Sequence, residues 1–126
     1  MIADAFLVDT NVLIRWVQRQ DAAYPVICEA IKRLLESKTA LYYTSQNLGE
    51  FWNTLTRPVD RNGYGLTPAQ ADELATEIEL ALRLLPDSMQ RHREWRRMLV
   101  DYGVSGVQVH DARLAAAMRV HGVNGF

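Results

Sequence analysis

A short apolar run that ends in a carboxylate constrains this sequence more than any other stretch. Residues 5–8 are apolar, Asp9 follows at once, and a helical pattern of apolar residues begins at Val12. A run this short, bounded in this way, is typical of a fully buried strand in a parallel sheet. Ligands of open α/β sheets gather at the carboxyl ends of such strands. Asp9 is therefore either a helix cap or an acidic ligand, and this stretch alone favours the cap.

Short strands and helices alternate along the rest of the chain. Further strands are predicted at residues 40–44 and 82–86. The first three predicted helices cover residues 12–17, a segment that starts within 21–25 and ends at 37, and a segment that starts at Ser45 or Gln46 and ends at the loop 57–66. The last three cover residues 68 to at least 78, 88–103 and 110–120. This order indicates an α/β fold with a parallel sheet covered on both faces, and the length of 126 residues indicates one domain over residues 1–126.

Composition excludes several classes of protein. No apolar run approaches the ~20 residues that cross a bilayer, and Asp4 near the start argues against a secretory signal. Cys28 is the only cysteine, which excludes an internal disulfide and is compatible with a reducing cytoplasm. The net charge of −1 lacks the basic excess of a typical nucleic-acid binder, so such binding would depend on local arginines or on a bound cation.

Three carboxylates occur near helix starts that follow predicted strands or loops: Asp9, Glu50 and Asp111. Periodicity alone places Glu50 on a solvated helix face, whereas Asp111 leads an apolar stripe and is either an N-cap or a paired group. If the three converge at one edge of the sheet, their repulsion requires a cation. Mg²⁺ prefers a few carboxylate oxygens plus water, and a metal so held activates water.

Three stretches resemble the PIN-domain ribonucleases, the fold family of VapC-type toxins. Residues 6–13 (FLVDTNVL) look like the family's opening, residues 44–53 (TSQNLGEFWN) with 56–58 (TRP) are similar to its second acidic motif, and residues 109–116 (VHDARLAA) resemble the third. The resemblance implies a PIN-like three-layer α/β fold with a parallel sheet flanked by helices. It also implies a divalent-metal-dependent endoribonuclease, with Mg²⁺ or Mn²⁺ as cofactor.

The resemblance assigns roles to individual residues and implies partners. Asp9, Glu50 and Asp111 carry over as catalytic metal ligands, and Thr10 and Asn11 as neighbours that shape the site. The implied partners are an RNA substrate, a second copy in a homodimer, and a small antitoxin whose tail brings an Arg or Lys into the acidic groove. No membrane partner is expected.

The sequence departs from the family pattern after Asp111. The family continues with a fourth strand, a Thr-rich turn and usually a fourth acidic residue, but no Asp or Glu follows Asp111 and the sequence given ends at Phe126. We therefore expect a C-terminally short domain that lacks its last strand and cleaves RNA weakly. The alternative is an impaired or non-catalytic PIN-like interaction module.

Arginines supply the remaining candidates. Arg57 and Arg61 lie in a Gly-containing loop after the Glu50 helix and are predicted to contact RNA phosphates. The cluster at Arg91, Arg93, Arg96 and Arg97 either holds phosphates or forms a solvated face that pairs with acidic neighbours, and the sequence favours the solvated face. The three tryptophans are predicted to lie in the core: Trp16, Trp52 and Trp95.

Overall fold

The sheet is parallel, and its strands lie in the order in which they occur in the chain. The structure is a computed structural model that describes residues 5–122. Within that range the strands are β1 (Ala5–Leu7), β2 (Ala40–Thr44) and β3 (Arg83–Leu85), paired in the order β1-β2-β3. Leu7 lies opposite Tyr42, and Thr44 lies opposite Leu85. The carboxyl ends of all three strands therefore meet at one edge, as the alternation of elements predicted.

Four of the six helices among the described residues begin where a side chain accepts a hydrogen bond from a free backbone N–H group. The six are α1 (Thr10–Val17), α2 (Tyr24–Glu36), α3 (Ser45–Thr56), α4 (Pro68–Ala81), α5 (Met89–Asp101) and α6 (Gln108–His121). The helices α2 and α6 do not begin in this way. Thr67 and Gln70 form the predicted capping box of α4, and the hydroxyl of Ser88 caps α5. The predicted elements are confirmed, although α6 begins two residues before His110 and a 3-10 turn (Val59–Arg61) interrupts the predicted loop.

Helices cover both faces of the sheet, which produces three layers. On one face Leu41 and Tyr43 pack against buried residues of α1 to α4: Leu13, Ile14, Ile31, Phe51, Leu55, Ala71, Ala75 and Ile78. On the other face Leu7 and Leu85 pack against Leu114 and Ala117 of α6, and α5 packs against α6. Successive residues of each strand point to opposite faces, so one apolar strand supplies both cores.

The structure corrects several details of the expected packing. The strand β1 is not fully buried as predicted. Ala5 and Phe6 are half-exposed, since β1 stands at one end of the strand order β1-β2-β3. Trp16 and Trp52 pack against the core as predicted, whereas Trp95 lies outside both buried clusters and lines a cavity. No helix among the described residues is long and apolar enough to span a membrane. The expected loss of a strand after α6 concerns Val123–Phe126, which lies outside the described residues.

We predict that the α6 face contributes strongly to stability. Replacing Leu114, which is 5% exposed, by Ala leaves a cavity against the sheet, and the expected loss is about 2–5 kcal/mol of the free energy of unfolding. Leu80→Ala is the matched control, since Leu80 is 84% exposed on α4 and its truncation should change stability by less than about 0.5 kcal/mol. Urea denaturation of both variants measures the difference. Equal losses would contradict the assigned packing.

Candidate metal and catalytic site

Asp9 is both a helix cap and a wall of a cleft. It follows β1 by one residue, and its Oδ1 accepts a hydrogen bond from the backbone N–H of Asn11 at 3.3 Å. This contact caps α1, which is the role that the local sequence favoured. Asp9 is only half-buried, and it also faces the open cleft described below. The two roles proposed for Asp9 from the sequence are therefore compatible.

A side-chain hydrogen bond joins the start of α1 to the middle of α3. Thr10 Oγ1 donates to Glu50 Oε2 at 2.9 Å, across forty positions of sequence. Glu50 is solvent-exposed, as the helical periodicity predicted, but its carboxylate is turned toward Asp9 and Thr10 in the same cleft. Exposure thus does not make Glu50 an ordinary surface residue, because a residue of another element fixes its orientation.

A fully buried amide holds the Thr10 hydroxyl in place. Asn47 Nδ2 donates to Thr10 Oγ1 at 3.2 Å, while Asn47 Oδ1 accepts from the backbone N–H of Thr44 at 3.0 Å and from its hydroxyl at 2.9 Å. Because the Thr10 oxygen accepts from Asn47, its proton is free to point at Glu50. The chain Thr44–Asn47–Thr10–Glu50 therefore has one consistent direction of donation, in which each bond polarises the next.

Gln46 holds the other oxygen of the same carboxylate. Its Nε2 donates to Glu50 Oε1 at 3.2 Å and also lies 3.2 Å from the backbone carbonyl oxygen of His110, in the first turn of α6. Both oxygens of Glu50 are consequently bound by protein donors. Gln46 also ties α3 to the turn that carries Asp111. Its buried Oε1 has no hydrogen-bond partner within residues 5–122, which leaves one acceptor open beside this site.

The cleft has a volume of about 560 Å³ and a mixed charge. The carboxylates of Asp9, Asp21 and Glu50 line it together with the guanidinium groups of Arg15 and Arg57. The remaining lining residues are Thr10, Asn11, Ile14, Thr54, Asn62 and Tyr64. Opposed acidic and basic groups can hold a cation and a phosphate side by side, which is the arrangement that phosphodiester chemistry requires.

The loop after α3 fixes Arg57 at the rim of the cleft. Arg57 Nη2 donates to the backbone oxygen of Asn62 at 2.9 Å. Gly63 is packed so closely against the Arg57 backbone that an added Cβ would overlap the Arg57 carbonyl oxygen, so only glycine fits there. Arg61 lies on the exposed 3-10 turn and is not among the residues that line the cleft. Of the two predicted RNA contacts, Arg57 is thus the one that faces the cleft.

Asp111 stands apart from the other two predicted ligands. It is exposed in the first turn of α6 and is not among the cleft-lining residues. In the described part of the chain, no three His, Cys, Asp or Glu side chains are grouped closely enough to hold one ion. The structure therefore brings Asp9 and Glu50 to one cleft, and it connects Asp111 to them only through the contacts of Gln46.

The donor set of the cleft fits a hard divalent cation. Mg²⁺ is commonly bound by one or two carboxylates with water completing its shell, and Asp9 and Glu50 supply two. The described lining contains no His or Cys, the residues that would select a softer metal. The assignment of Asp9, Glu50 and Asp111 as metal ligands stays a prediction that this chemistry supports.

The arginine cluster on α5 is divided between two environments. Arg97 donates to Glu94 and Asp101, each at 2.6 Å, so the predicted pairing with acidic neighbours holds there. The bond from Arg97 lowers the pKa of Glu94. Arg93 and Arg96 are exposed. The prediction of a solvated face is wrong for Arg91, which is 1% exposed and lines a separate cavity.

Sequence reasoning did not identify Gln46 and Asn47 as site residues. A signal for Asn47 was present, because Thr44-x-x-Asn47 is an N-cap pattern that resembles a capping box. Gln46 lies four positions before Glu50, the spacing at which helical side chains meet. Neither spacing reveals the partner across the sheet edge, since Thr10 and His110 are distant in sequence.

Comparison with known proteins identifies the family. The model of the PIN domain matches residues 6–124, and the chain belongs to the PIN domain family. Among solved structures it is similar to VapC20 of Mycobacterium tuberculosis, described as a toxin that cleaves the sarcin–ricin loop, with 25% identity and a TM-score of 0.65 over 97% of this chain and 87% of that one. The predicted resemblance and fold class are confirmed.

A second solved structure supports the fold alone. VapBC2 of Rickettsia felis, solved with a DNA fragment from its promoter, aligns with 13% identity and a TM-score of 0.67, covering 96% of this chain and 84% of that one. No curated protein matches the sequence.

We predict that Asn47 contributes more to stability than any exposed residue of α3. Asn47→Ala leaves the buried N–H and hydroxyl of Thr44 without their acceptor, which should lower the free energy of unfolding by about 2–3 kcal/mol. Asn53→Ala, an exposed site on the same helix, should change it by less than about 0.5 kcal/mol. Thermal denaturation distinguishes the two variants, and similar midpoints would argue against the network.

Proposed function

We propose that this protein is a VapC-type toxin that hydrolyses RNA phosphodiester bonds as a divalent-metal-dependent endoribonuclease of the cytoplasm. The observation that carries the proposal is the pair Asp9 and Glu50 in one cleft, with both oxygens of Glu50 held by Thr10 and Gln46. Membership of the PIN domain family and the 25% identity to a toxin described as cleaving the sarcin–ricin loop support the reaction class.

Asp9 and Glu50, with Asp111, are the proposed ligands of Mg²⁺ or Mn²⁺. Such an ion, when bound, supplies an activated water and neutralises charge on the scissile phosphate. The protein's own contribution is to hold the ligands still. Thr10 and Gln46 orient the carboxylate of Glu50, and the N–H of Asn11 orients that of Asp9. Prior fixation of ligands avoids reorganisation during the reaction.

Arg57, which lines the same cleft, is the proposed phosphate contact. Its Nη2 is held by the Asn62 carbonyl, which leaves the outer part of the planar guanidinium to meet a phosphodiester oxygen. Arg61, on the exposed turn outside the cleft, is a candidate for contact with a more distant part of the RNA strand.

The second candidate function is a PIN-like module that binds its partner without cleaving RNA. The position of Asp111 outside the cleft favours it, because two carboxylates hold a cation less firmly than three. Such a module would bind RNA or an antitoxin but would cleave no RNA at saturating Mg²⁺. Cleavage assays separate it from the nuclease.

The proposed function predicts that RNA cleavage depends on the two cleft carboxylates. Asp9→Asn and Glu50→Gln, which remove one ligand charge each, should lower the rate of Mg²⁺-dependent cleavage of a fluorescent RNA by about 100-fold or more. Glu79→Gln is the matched control, since Glu79 is an exposed residue of α4 and its variant should retain the wild-type rate.

Removal of the metal gives an independent check. EDTA should abolish wild-type cleavage, and excess Mg²⁺ or Mn²⁺ should restore it. Cleavage that persists in EDTA, or that is equal in Asp9→Asn and wild type, would exclude the metal-dependent nuclease proposed here, whereas a chain that cleaves no RNA at saturating Mg²⁺ would leave the binding module.

The expected partners are a second copy of the chain and a small antitoxin. An antitoxin tail with an Arg or Lys would enter the cleft and neutralise Asp9 and Glu50. Expression of the chain alone should arrest growth, Asp9→Asn should not, and co-expression of the reading frame just upstream should relieve the arrest and yield a co-purifying complex. Growth that is unaffected by the wild-type chain, with no co-purifying small protein, would refute the toxin assignment. Light scattering of the purified chain tests the homodimer.

A further inference from the structure

A second cavity lies at the start of α5, separate from the Asp9–Glu50 cleft. It has a volume of about 390 Å³ and is lined by Asp87, Arg91, His92, Trp95 and Arg113, with Ser88 and Met89 at the helix start. It shares no lining residue with the first cleft. The family motifs assign no role to these residues, and the proposed function does not use them.

Arg91 is a buried cation with too few partners. Its side chain is 2% exposed, and Nη1 donates to Asp87 Oδ1 at 2.9 Å. Nε and Nη2 are buried and have no hydrogen-bond partner within the described chain. Burial lowers the pKa of Arg91; the charge of Asp87 opposes this shift, and the charge of Arg113 adds to it. A buried guanidinium group with unpaired N–H groups is costly unless a further acceptor or negative charge approaches it.

A second guanidinium group competes for the same carboxylate. Arg113 Nη2 donates to Asp87 Oδ2 at 3.3 Å, so two positive charges share one negative charge. The Arg113 side chain is 41% exposed and its Cζ lies 5.7 Å from the centroid of the Trp95 ring, which holds it at the mouth of the cavity. Arg91 and Arg113 carry two positive charges and Asp87 carries one negative charge. The cavity therefore has an excess of one positive charge.

The backbone adds to this positive field. α5 has thirteen residues, and the hydroxyl of Ser88 accepts from the N–H of Arg91 at its first turn. The start of a helix carries partial positive charge and attracts anions. The dipole, the buried and incompletely paired charge of Arg91 and the exposed guanidinium of Arg113 all favour an anion of the size of a phosphate group. The negative charge of Asp87 repels an incoming anion, but the positive charges of Arg91 and Arg113 together exceed it.

The position of the cavity suggests the source of that phosphate. α5 follows β3 as α1 follows β1 and α3 follows β2, so the helix starts lie at the same edge of the parallel sheet. A strand of RNA that enters the Asp9–Glu50 cleft and runs along this edge reaches the start of α5.

We propose that the Arg91–Arg113 cavity is a phosphate subsite that binds one backbone phosphodiester of the RNA strand, away from the scissile bond. The choice of RNA as the source of the phosphate rests on the proposed function, whereas the anion chemistry rests on the cavity alone. Arg91 supplies the fixed positive charge beneath the site and Arg113 the accessible donor.

The test measures RNA binding and stability in the same variants. Binding of a short fluorescent single-stranded RNA is followed by anisotropy in EDTA, where metal-dependent cleavage does not interfere. Arg91→Met, which preserves the length of the side chain, should weaken binding about 5- to 10-fold and reduce the slope of log K against log salt by about 0.7, the loss expected for one phosphate contact on a single strand. Its melting temperature should stay level or rise, because an apolar side chain replaces a poorly paired buried charge.

The matched control is Arg93→Met, which makes the same charge change at an exposed position of the same helix. It should alter RNA affinity less than 2-fold and leave the salt slope unchanged. Arg113→Met is the second cavity variant, and it keeps the test decisive if Arg91→Met does not fold. It should weaken binding in the same direction as Arg91→Met.

A titration with inorganic phosphate separates the anion site from its assignment to RNA. Phosphate should shift the indole N–H signal of Trp95 and leave those of Trp16 and Trp52 in place. If the cavity variants lose stability while RNA affinity and salt slope stay at wild-type values, Arg91 is structural and the proposal is overturned. Phosphate binding without any effect of the variants on RNA overturns the RNA assignment. If the variants weaken RNA binding in a chain that cleaves no RNA, the subsite stands and the nuclease proposal fails.

Discussion

The buried amide of Asn47 is the contact on which the geometry of the candidate site depends. It binds the last residue of β2 on one side and the first residue of α1 on the other, so it joins the carboxyl ends of two neighbouring strands. A buried polar group must find its partners or destabilise the fold, and this requirement fixes the position of Thr10. Thr10 in turn orients Glu50. The orientation of the acidic group is thus a consequence of core packing.

Local charge, and not net charge, determines what this protein can bind. The chain carries a formal charge of −1, which gives no indication of affinity for nucleic acid. The cleft around Asp9 and Glu50, however, has mixed charge, and the cavity around Arg91 and Arg113 at the start of α5 has an excess of positive charge. The first arrangement suits a cation and a phosphate side by side, and the second suits an anion.

The sequence predicted the fold well and the site in part. Apolar periodicity located the strands and helices because burial of one face dominates the choice of local structure, and Thr67 and Ser88 marked helix starts through bonds that span three residues. Periodicity classed Glu50 as a surface residue, since it measures angle around a helix and not what packs there. The run of arginines suggested a solvated face for Arg91, because charged clusters usually face water. The roles of Gln46 and Asn47 depend on contacts 37 to 64 positions away, which no local pattern contains.

We propose that Thr10, Gln46 and Asn47 hold the carboxylate of Glu50 in a position where, together with Asp9, it binds a divalent cation. Anomalous diffraction from crystals grown with Mn²⁺ tests it most directly. We predict a single strong peak at coordination distance from carboxylate oxygens of both Asp9 and Glu50, with Asp111 bound directly or through water. In Thr10→Val crystals under the same conditions, the peak should be weaker. Full-strength density in Thr10→Val, a peak elsewhere on the molecule, or no peak at saturating Mn²⁺ would contradict this account.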